Sequence, residues 1–188
     1  MSPPLDHLAA LLDYPEPDVL AQAERARGAL AEWPAAAAEL EAFAAHVAGC
    51  DPREVEELYT RTFDIMATCC LDVGYQLFGE TYKRGLFLVK MRDACRRHGV
   101  DARTELPDHL PVVLRLLARL APEDEPEELV REVLLPAVGK MLLPFHDAPN
   151  PYAGLLRAVD AVLRAVWPPA TRVVPLLPVV YEGGDSRA

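Results

Sequence analysis

The sequence predicts an all-α fold: a single-domain bundle of about eight helices, followed by an extended, proline-rich C-terminal tail. Apolar residues recur with a helical period along most of the chain. The clearest stripe runs from Tyr152 to Trp167 and has charged residues on its other face. No internal segment reads convincingly as a strand. Each apolar stripe must be buried against another helix, and a bundle is the simplest way to do so.

Prolines and turn residues mark the helix ends. Many of the 18 prolines stand near the start of a periodic segment, where a missing N–H costs nothing. We therefore expect helices near residues 4–12, 17–31, 35–48, 52–66, 80–98, 107–120, 126–146 and 151–167. Pro111 and Pro136 lie inside two of these segments, which predicts a late helix start or a kink. Residues 67–79 are expected to form a loop or a short broken helix.

The chain of 188 residues is long enough for one ordinary domain and needs no disulfide bonds to stabilise its core. Residues 1–167 are predicted to form one all-α domain. Residues 168–188 are predicted to be an extended tail, because they contain four prolines and end in GGDSRA. The apolar part of this tail either packs on the outside of the last helices or covers a binding groove.

Charge and hydropathy disfavour several classes of partner. The chain has 19 Lys and Arg against 29 Asp and Glu, a formal net charge of −10. Nucleic acids and anionic lipids both select basic surfaces, so neither is expected as a partner, and a positively charged partner is favoured. We find neither a secretory signal nor an apolar run of about 18 residues. A cytoplasmic protein without stable membrane insertion is therefore expected.

No catalytic or metal-binding constellation is found. The two serines lie near the chain ends, the five histidines are scattered, and no CxxC pair or glycine-rich nucleotide motif occurs. We therefore expect no enzymatic activity, no metal and no cofactor. The four cysteines are interpreted as inert or semi-buried thiols in a reducing compartment. A cysteine- or nucleotide-dependent enzyme and a purely structural helical adaptor are the alternatives from other classes.

Three segments carry more polar side chains than a helical core needs. In LYTRTFD, Tyr59 and Phe63 share a helix face that ends at Asp64. In YQLFGETYKRGLFLVKM, Arg84 is in line with the apolar residues of its helix. A semi-buried Arg84 needs a carboxylate partner, and the candidates are Asp64, Glu80, Glu105 and Asp108. In ELPDHLP, acidic residues and His109 surround a helix start.

Together these segments predict a groove with an aromatic and aliphatic floor and an acidic rim. Such a groove suits a basic, amphipathic helix from another protein. For single residues there are simpler interpretations: Asp108 as a helix cap, Arg84 with its charge extended to solvent, and His109 as a helix-start residue.

At these segments the sequence resembles the NarJ-type assembly chaperones of respiratory nitrate reductase, within the TorD-like family of molybdoenzyme chaperones. The resemblance runs in order over roughly residues 5–167, from LLDYP through ELYTRTFD, LFGETYKRG and ELPDHLPVVLRLLA to NPYAGLLRAV. It implies a non-enzymatic chaperone that binds the N-terminal segment of the reductase catalytic subunit. The chaperone would hold that subunit until its molybdenum cofactor has been inserted. Docking of the subunit at the membrane would follow. A dimethyl sulfoxide reductase-like enzyme is the alternative client.

The resemblance also implies which residues bind the client segment. Carried over by motif, they are Tyr59, Phe63, Asp64, Leu77, Phe78, Lys83, Arg84, Glu105, Asp108 and His109. A monomer or weak dimer is expected. The adjacent Cys69 and Cys70 and the apolar tail at 173–181 have no counterpart in the family pattern.

Overall fold

A computed structural model describes residues 3–65, 67–146 and 149–168 of the chain. The helices are α1 (Leu5–Leu12), α2 (Val19–Ala29), α3 (Pro34–Ala48), α4 (Pro52–Phe63), α5 (Val73–Phe78), α6 (Tyr82–Arg97), α7 (Leu110–Leu117), α8 (Pro126–Glu128), α9 (Leu135–Leu142) and α10 (Pro151–Val166). The predicted all-α class is confirmed. Strand-like pairing in these residues is limited to an isolated bridge between Asp72 and His109. The tail predicted from residue 168 lies outside the described residues, except for Pro168.

Side-chain caps are found at the starts of α4 and α10. The Asp51 side chain accepts hydrogen bonds from the backbone N–H groups of Arg53 and Glu54, at 2.9 and 3.0 Å, and so caps α4. At the start of α10, Asn150 accepts from the N–H of Tyr152 at 2.9 Å. The late start expected at Pro111 is confirmed, because α7 begins only at Leu110. Residues 67–79 contain the short helix α5.

The helix predicted at 126–146 changes type along its length. Leu129–Leu134 is π-helical between α8 and α9, and Pro136 stands in the first turn of α9. A proline inside a helix removes an N–H donor and its ring excludes a carbonyl one turn earlier. The wider π turn accommodates that loss. The irregularity expected at Pro136 is therefore a change of helix type.

An aromatic cluster attaches α4 to the core. Helix α10 packs against α3, α9 and α1, and its Tyr152 is fully buried with its ring 5.2 Å from that of Phe43 on α3. Tyr59 and Phe63 of α4 bring their rings to 5.8 and 4.9 Å from Tyr152. Such edge-to-face contacts add to the burial of large side chains. The α4 face predicted at Tyr59 and Phe63 is thus anchored at the centre of the bundle.

Helix α6 is attached along one edge. It contacts α5 and α7, and of its 16 residues only Met91 and Cys95 are buried. The rings of Phe78 on α5 and Phe87 on α6 lie 5.7 Å apart. The opposite face of α6 is left to solvent. In the part of the chain that the structure describes, no helix is both long and apolar enough to cross a membrane.

Candidate functional site

Arg84 stands between two carboxylates where α5, α6 and the loop before α7 meet. Its Nε donates to Asp108 Oδ2 at 3.2 Å, and its Nη2 donates to Asp72 Oδ2 at 2.8 Å. The N–H of Gly74, in the first turn of α5, also donates to Asp108 Oδ2 at 3.2 Å. We call Asp72, Gly74, Arg84 and Asp108 the ion-pair network. Asp108 was one of four candidate partners for Arg84; Asp72 was not among them.

The network surrounds a carboxyl group that is buried inside the protein. The Asp108 side chain is fully buried. Burial is the main cause that raises the pKa of Asp108, and the negative charge of Asp72 raises it further, whereas Arg84 opposes both. Burial alone lowers the pKa of Arg84, but the hydrogen bonds and charges of the two aspartates outweigh it and raise that pKa. An ionised Asp108 therefore depends on Arg84.

Backbone hydrogen bonds join the start of α5 to the loop before α7. The N–H of Val73 donates to the carbonyl of Asp108 at 2.8 Å, and the N–H of Leu110 donates to the carbonyl of Leu71 at 2.9 Å. A Cβ at Gly74 would lie 2.7 Å from Asp108 Oδ2 and 2.7 Å from a ring carbon of Phe87, so a larger residue there would displace these side chains. Residues 108–110 are thus held against the start of α5.

This burial corrects the expected place of Asp108 on an acidic rim. A fully buried carboxylate that already accepts two hydrogen bonds cannot meet the cation of another protein. The alternative role as a cap of α7 is also wrong, since His109 occupies the N-cap position of that helix. Asp108 instead satisfies a free N–H in the first turn of α5.

A second cluster surrounds Tyr59. Its hydroxyl donates to the carbonyl of Leu12 at 3.3 Å, and its ring lies 5.4 Å from that of Tyr14 and 5.2 Å from that of Phe63. Burial raises the pKa of Tyr59, and the nearby charges of Asp13, Glu105 and Asp64 raise it further. Tyr59 therefore links α4 to α1 and to the loop after it, through its hydrogen bond to Leu12 and its contact with Tyr14.

Tyr14 lies half-exposed between two shallow depressions in the surface. The larger, of about 420 Å³, is lined by four carboxylates and by Arg103 and Arg115. The smaller, of about 280 Å³, is lined by Glu56, Glu57 and Arg61. Arg115 is itself paired with Asp13, at 3.3 Å between Nη1 and Oδ1. We call the following residues the acidic surface: Asp13, Tyr14, Glu16, Glu56, Glu57, Asp64, Asp101 and Glu105.

The structure divides the ten sequence-predicted site residues. Tyr59 and Phe63 lie beneath the acidic surface, and Asp64 and Glu105 lie on it. Arg84 and Asp108 belong to the ion-pair network, and His109 adjoins it through the bridge to Asp72. Leu77 and Phe78 are partly buried on α5, and Lys83 is exposed on α6. The middle third of the chain therefore does not form the acidic site alone; α1 and the loop after it contribute.

Sequence reasoning missed Asp13 and Tyr14, although LLDYP was one of the segments that carried the resemblance. It also missed Asp72. A helix and a turn separate Asp72 from Arg84, so no helical spacing relates the two residues.

The cysteines are poor candidates for chemistry. Burial raises the pKa of Cys69 to about 12, and it raises the pKa of Cys95 as well. Both side chains are buried, as expected for inert thiols, and their thiolates are disfavoured at neutral pH. Within the described ranges, no three His, Cys, Asp or Glu side chains converge as a metal site would require.

Comparisons with known proteins identify the family of the chain. The sequence profile of the family described as "Nitrate reductase delta subunit" matches residues 26–156, which include α4 and the whole ion-pair network. The "Probable nitrate reductase molybdenum cofactor assembly chaperone NarJ" of Bacillus subtilis (strain 168) is 29% identical over 169 residues, covering 85% of this chain and 87% of that protein.

A second relative is matched over a shorter region. The "Nitrate reductase molybdenum cofactor assembly chaperone NarJ" of Escherichia coli (strain K12) is 32% identical over 84 residues, covering 44% of this chain and 35% of that protein. Both relatives are named as chaperones and not as enzymes, which agrees with the prediction that the chain is not an enzyme. The resemblance drawn from the motifs is confirmed, and the chain belongs to the nitrate reductase delta subunit family.

Proposed function

We propose that this chain is an assembly chaperone for a nitrate reductase. Its acidic surface binds the basic, amphipathic N-terminal segment of the catalytic subunit. That segment stays bound while the molybdenum cofactor is inserted and before the subunit docks at the membrane. The observation that carries the proposal is that Asp13, Glu16, Asp101 and Glu105 line one depression together with the exposed ring of Tyr14. The names of the family and of the two relatives support the role of an assembly chaperone for a nitrate reductase.

The acidic surface has the chemistry that a basic segment needs. Carboxylates around an interface raise the encounter rate and set orientation more than they raise affinity. The exposed ring of Tyr14 offers a face to a Lys or Arg, worth about 0.5–1 kcal/mol at an exposed site. Leu106 and Ile65 are exposed beside Glu105 and Asp64 and provide apolar contact.

Such a site binds reversibly. A client segment that becomes helical on binding loses conformational entropy, and this loss lowers the net affinity. Release is therefore possible once the client has folded.

The ion-pair network helps to position the loop that carries Glu105. Glu105 lies in the segment that ends at Asp108 and His109, and that segment is held by Arg84 and by the backbone of residues 71–74. The proposal thus gives Asp64, Glu105 and Tyr14 direct contact with the client. Arg84, Asp108 and His109 position the loop, and Leu77 and Phe78 stabilise α5.

The test is calorimetric titration of the full chain with a peptide of the cognate catalytic subunit's N-terminal segment. We expect Tyr14→Ala combined with Glu105→Lys to weaken binding by about tenfold or more, because a cation–π contact is lost and an attraction becomes a repulsion. Raising the salt concentration from about 50 to 300 mM is expected to weaken binding by the intact chain, since exposed charges are screened.

The matched control is Glu32→Lys, the same charge reversal at an exposed residue. Glu32 follows the C-terminal end of α2, whereas Glu16 of the acidic surface precedes the N-terminal end. It is expected to leave the affinity unchanged. Affinity within twofold of the intact chain in the double variant, or binding indifferent to salt, would contradict the assignment. In cells that lack the chain, a nitrate reductase with its normal molybdenum content would instead favour a structural adaptor.

A further inference from the structure

A basic surface occupies the outward face of α6. This helix carries six of the chain's 19 Lys and Arg residues and only one acidic residue, Asp93, although the formal net charge of the chain is −10. Arg84 points inward to the ion-pair network. The other five cations are exposed to solvent: Lys83, Lys90, Arg92, Arg96 and Arg97. The average charge of the chain therefore hides a local surface of opposite sign.

Three large apolar side chains are exposed in the middle of this face. Tyr82 is 80% exposed, Leu86 49% and Val89 56%. Their spacing of four and then three residues is that of the d, a and d positions of a heptad. Lys83 and Lys90 directly follow Tyr82 and Val89 and so occupy e positions. A stripe of this kind is the face that a helix buries against another helix.

We propose that the outward face of α6 docks an acidic amphipathic helix of a partner protein. The apolar a and d side chains of that helix pack on Tyr82, Leu86 and Val89, and its flanking Glu or Asp side chains pair with Lys83 and Lys90. The seam from residue 82 to residue 89 is about two helical turns, or roughly 12 Å. The next a position is occupied by Asp93, so the apolar seam ends before it. A contact this short is weak and reversible.

A helix fits this face better than an anionic bilayer does. Charges are screened beyond about 8 Å at physiological salt, and a helix about 10 Å wide covers little more than α6 itself. An extended anionic bilayer would face the net charge of −10 as well as the cations of α6, and would be repelled.

A second copy of the chain is disfavoured for a similar reason. In a two-fold symmetric dimer through α6, the same patch meets itself, so the basic flanks would oppose each other. The proposal goes beyond the chaperone function and does not depend on it, because the acidic surface and α6 select partners of opposite charge.

The test uses a designed peptide of three heptads with Leu at a and d and Glu at e and g, whose own pairing is prevented by the like charges. Fluorescence anisotropy at physiological salt is expected to show saturable binding to the full chain. We expect the combined substitution Leu86→Ser and Val89→Ser to weaken binding at least tenfold, and Lys90→Glu to weaken it severalfold.

Leu143→Ser is the matched control, because Leu143 is equally apolar and 61% exposed on another part of the surface. It is expected to bind the peptide as the intact chain does. All variants are expected to keep the helical circular-dichroism spectrum and the affinity for the client segment, which separates this test from that of the chaperone function. The proposal is overturned if the acidic peptide does not bind or if the double variant binds equally well. The proposal is also overturned if Leu86 and Val89 are needed only for binding to phosphatidylglycerol vesicles, or only for self-association of the chain.

Discussion

Arg84→Met is expected to destabilise the protein by roughly 3 kcal/mol at neutral pH, because it leaves a buried carboxylate without its cation. Asp108 is fully buried, and Arg84 is the cation that bonds its Oδ2. Loss of this magnitude lowers the melting temperature of a domain of this size by roughly 6–12 °C. It also releases the loop that carries Glu105, so we expect the affinity for the client segment to fall with stability.

The pH dependence of this loss identifies its cause. The pKa of Asp108 is raised in the folded protein, so protonation favours the folded state. This contribution to stability is fully present below the pKa that Asp108 has in the unfolded chain. It is lost as the pH rises through the pKa that Asp108 has in the folded protein. Removing Arg84 raises the folded pKa further, because a group that lowers it is gone. The difference in unfolding free energy between the intact chain and the variant is therefore expected to grow with pH and to shrink in acid.

Urea denaturation between about pH 5 and pH 8 measures this difference. Arg25→Met removes the exposed pair with Asp18 and is the matched control, expected to leave the stability nearly unchanged. Adding Asp108→Asn to Arg84→Met is expected to recover part of the loss at neutral pH, because no buried charge is then left alone. A loss that is the same at every pH would exclude the uncompensated Asp108 charge as its cause.

Much of the fold followed from local sequence patterns. Helical periodicity and proline placement predicted eight segments, because they act within one or two turns of the chain. The late start of α7 at Leu110, three residues after the predicted segment begins, followed from Pro111 inside that segment. The π turn at Leu129–Leu134 has no separate local signal beyond Pro136.

The candidate site was only partly predictable, because its members meet through tertiary contacts. The need of Arg84 for a carboxylate could be argued from its place on an apolar face, and Asp108 was one of the candidates. The choice between a buried and an exposed Asp108 depends on how the start of α5 packs on residues 105–110, which periodicity does not encode. Tyr14 and Asp13 reach Glu105 only because α1 packs against α7.

The two proposed docking surfaces give a reason for the uneven charge of the chain. The acidic surface gathers residues from three separate segments, whereas the basic surface lies on one helix. The ion-pair network lies between these parts of the chain, since Arg84 belongs to α6 and Asp108 to the loop of Glu105. If one surface binds a basic segment and the other an acidic segment, their opposite charges keep each partner from binding at the wrong surface.

Gly154→Ala is expected to destabilise the protein by about 2 kcal/mol, although alanine favours helices over glycine by about 1 kcal/mol. A Cβ at Gly154 would lie 2.8 Å from the carbonyl oxygen of Glu39, a backbone atom of α3. Backbone cannot rotate aside as a flexible side chain does, so α10 and α3 must separate. That movement loosens the contact of Tyr152 with Phe43 at the centre of the core.

Gly139→Ala on α9 is the matched control with the opposite expected sign. No heavy atom lies within 4 Å of a Cβ built at Gly139, which is exposed in the middle of its helix. The substitution is therefore expected to stabilise the protein by about 0.5–1 kcal/mol through helix propensity alone. Chemical denaturation of both variants measures the two effects side by side. If Gly154→Ala were neutral or stabilising, the close approach of α10 to α3 would be wrong, and with it the position of the aromatic cluster that holds α4 and the acidic surface in place.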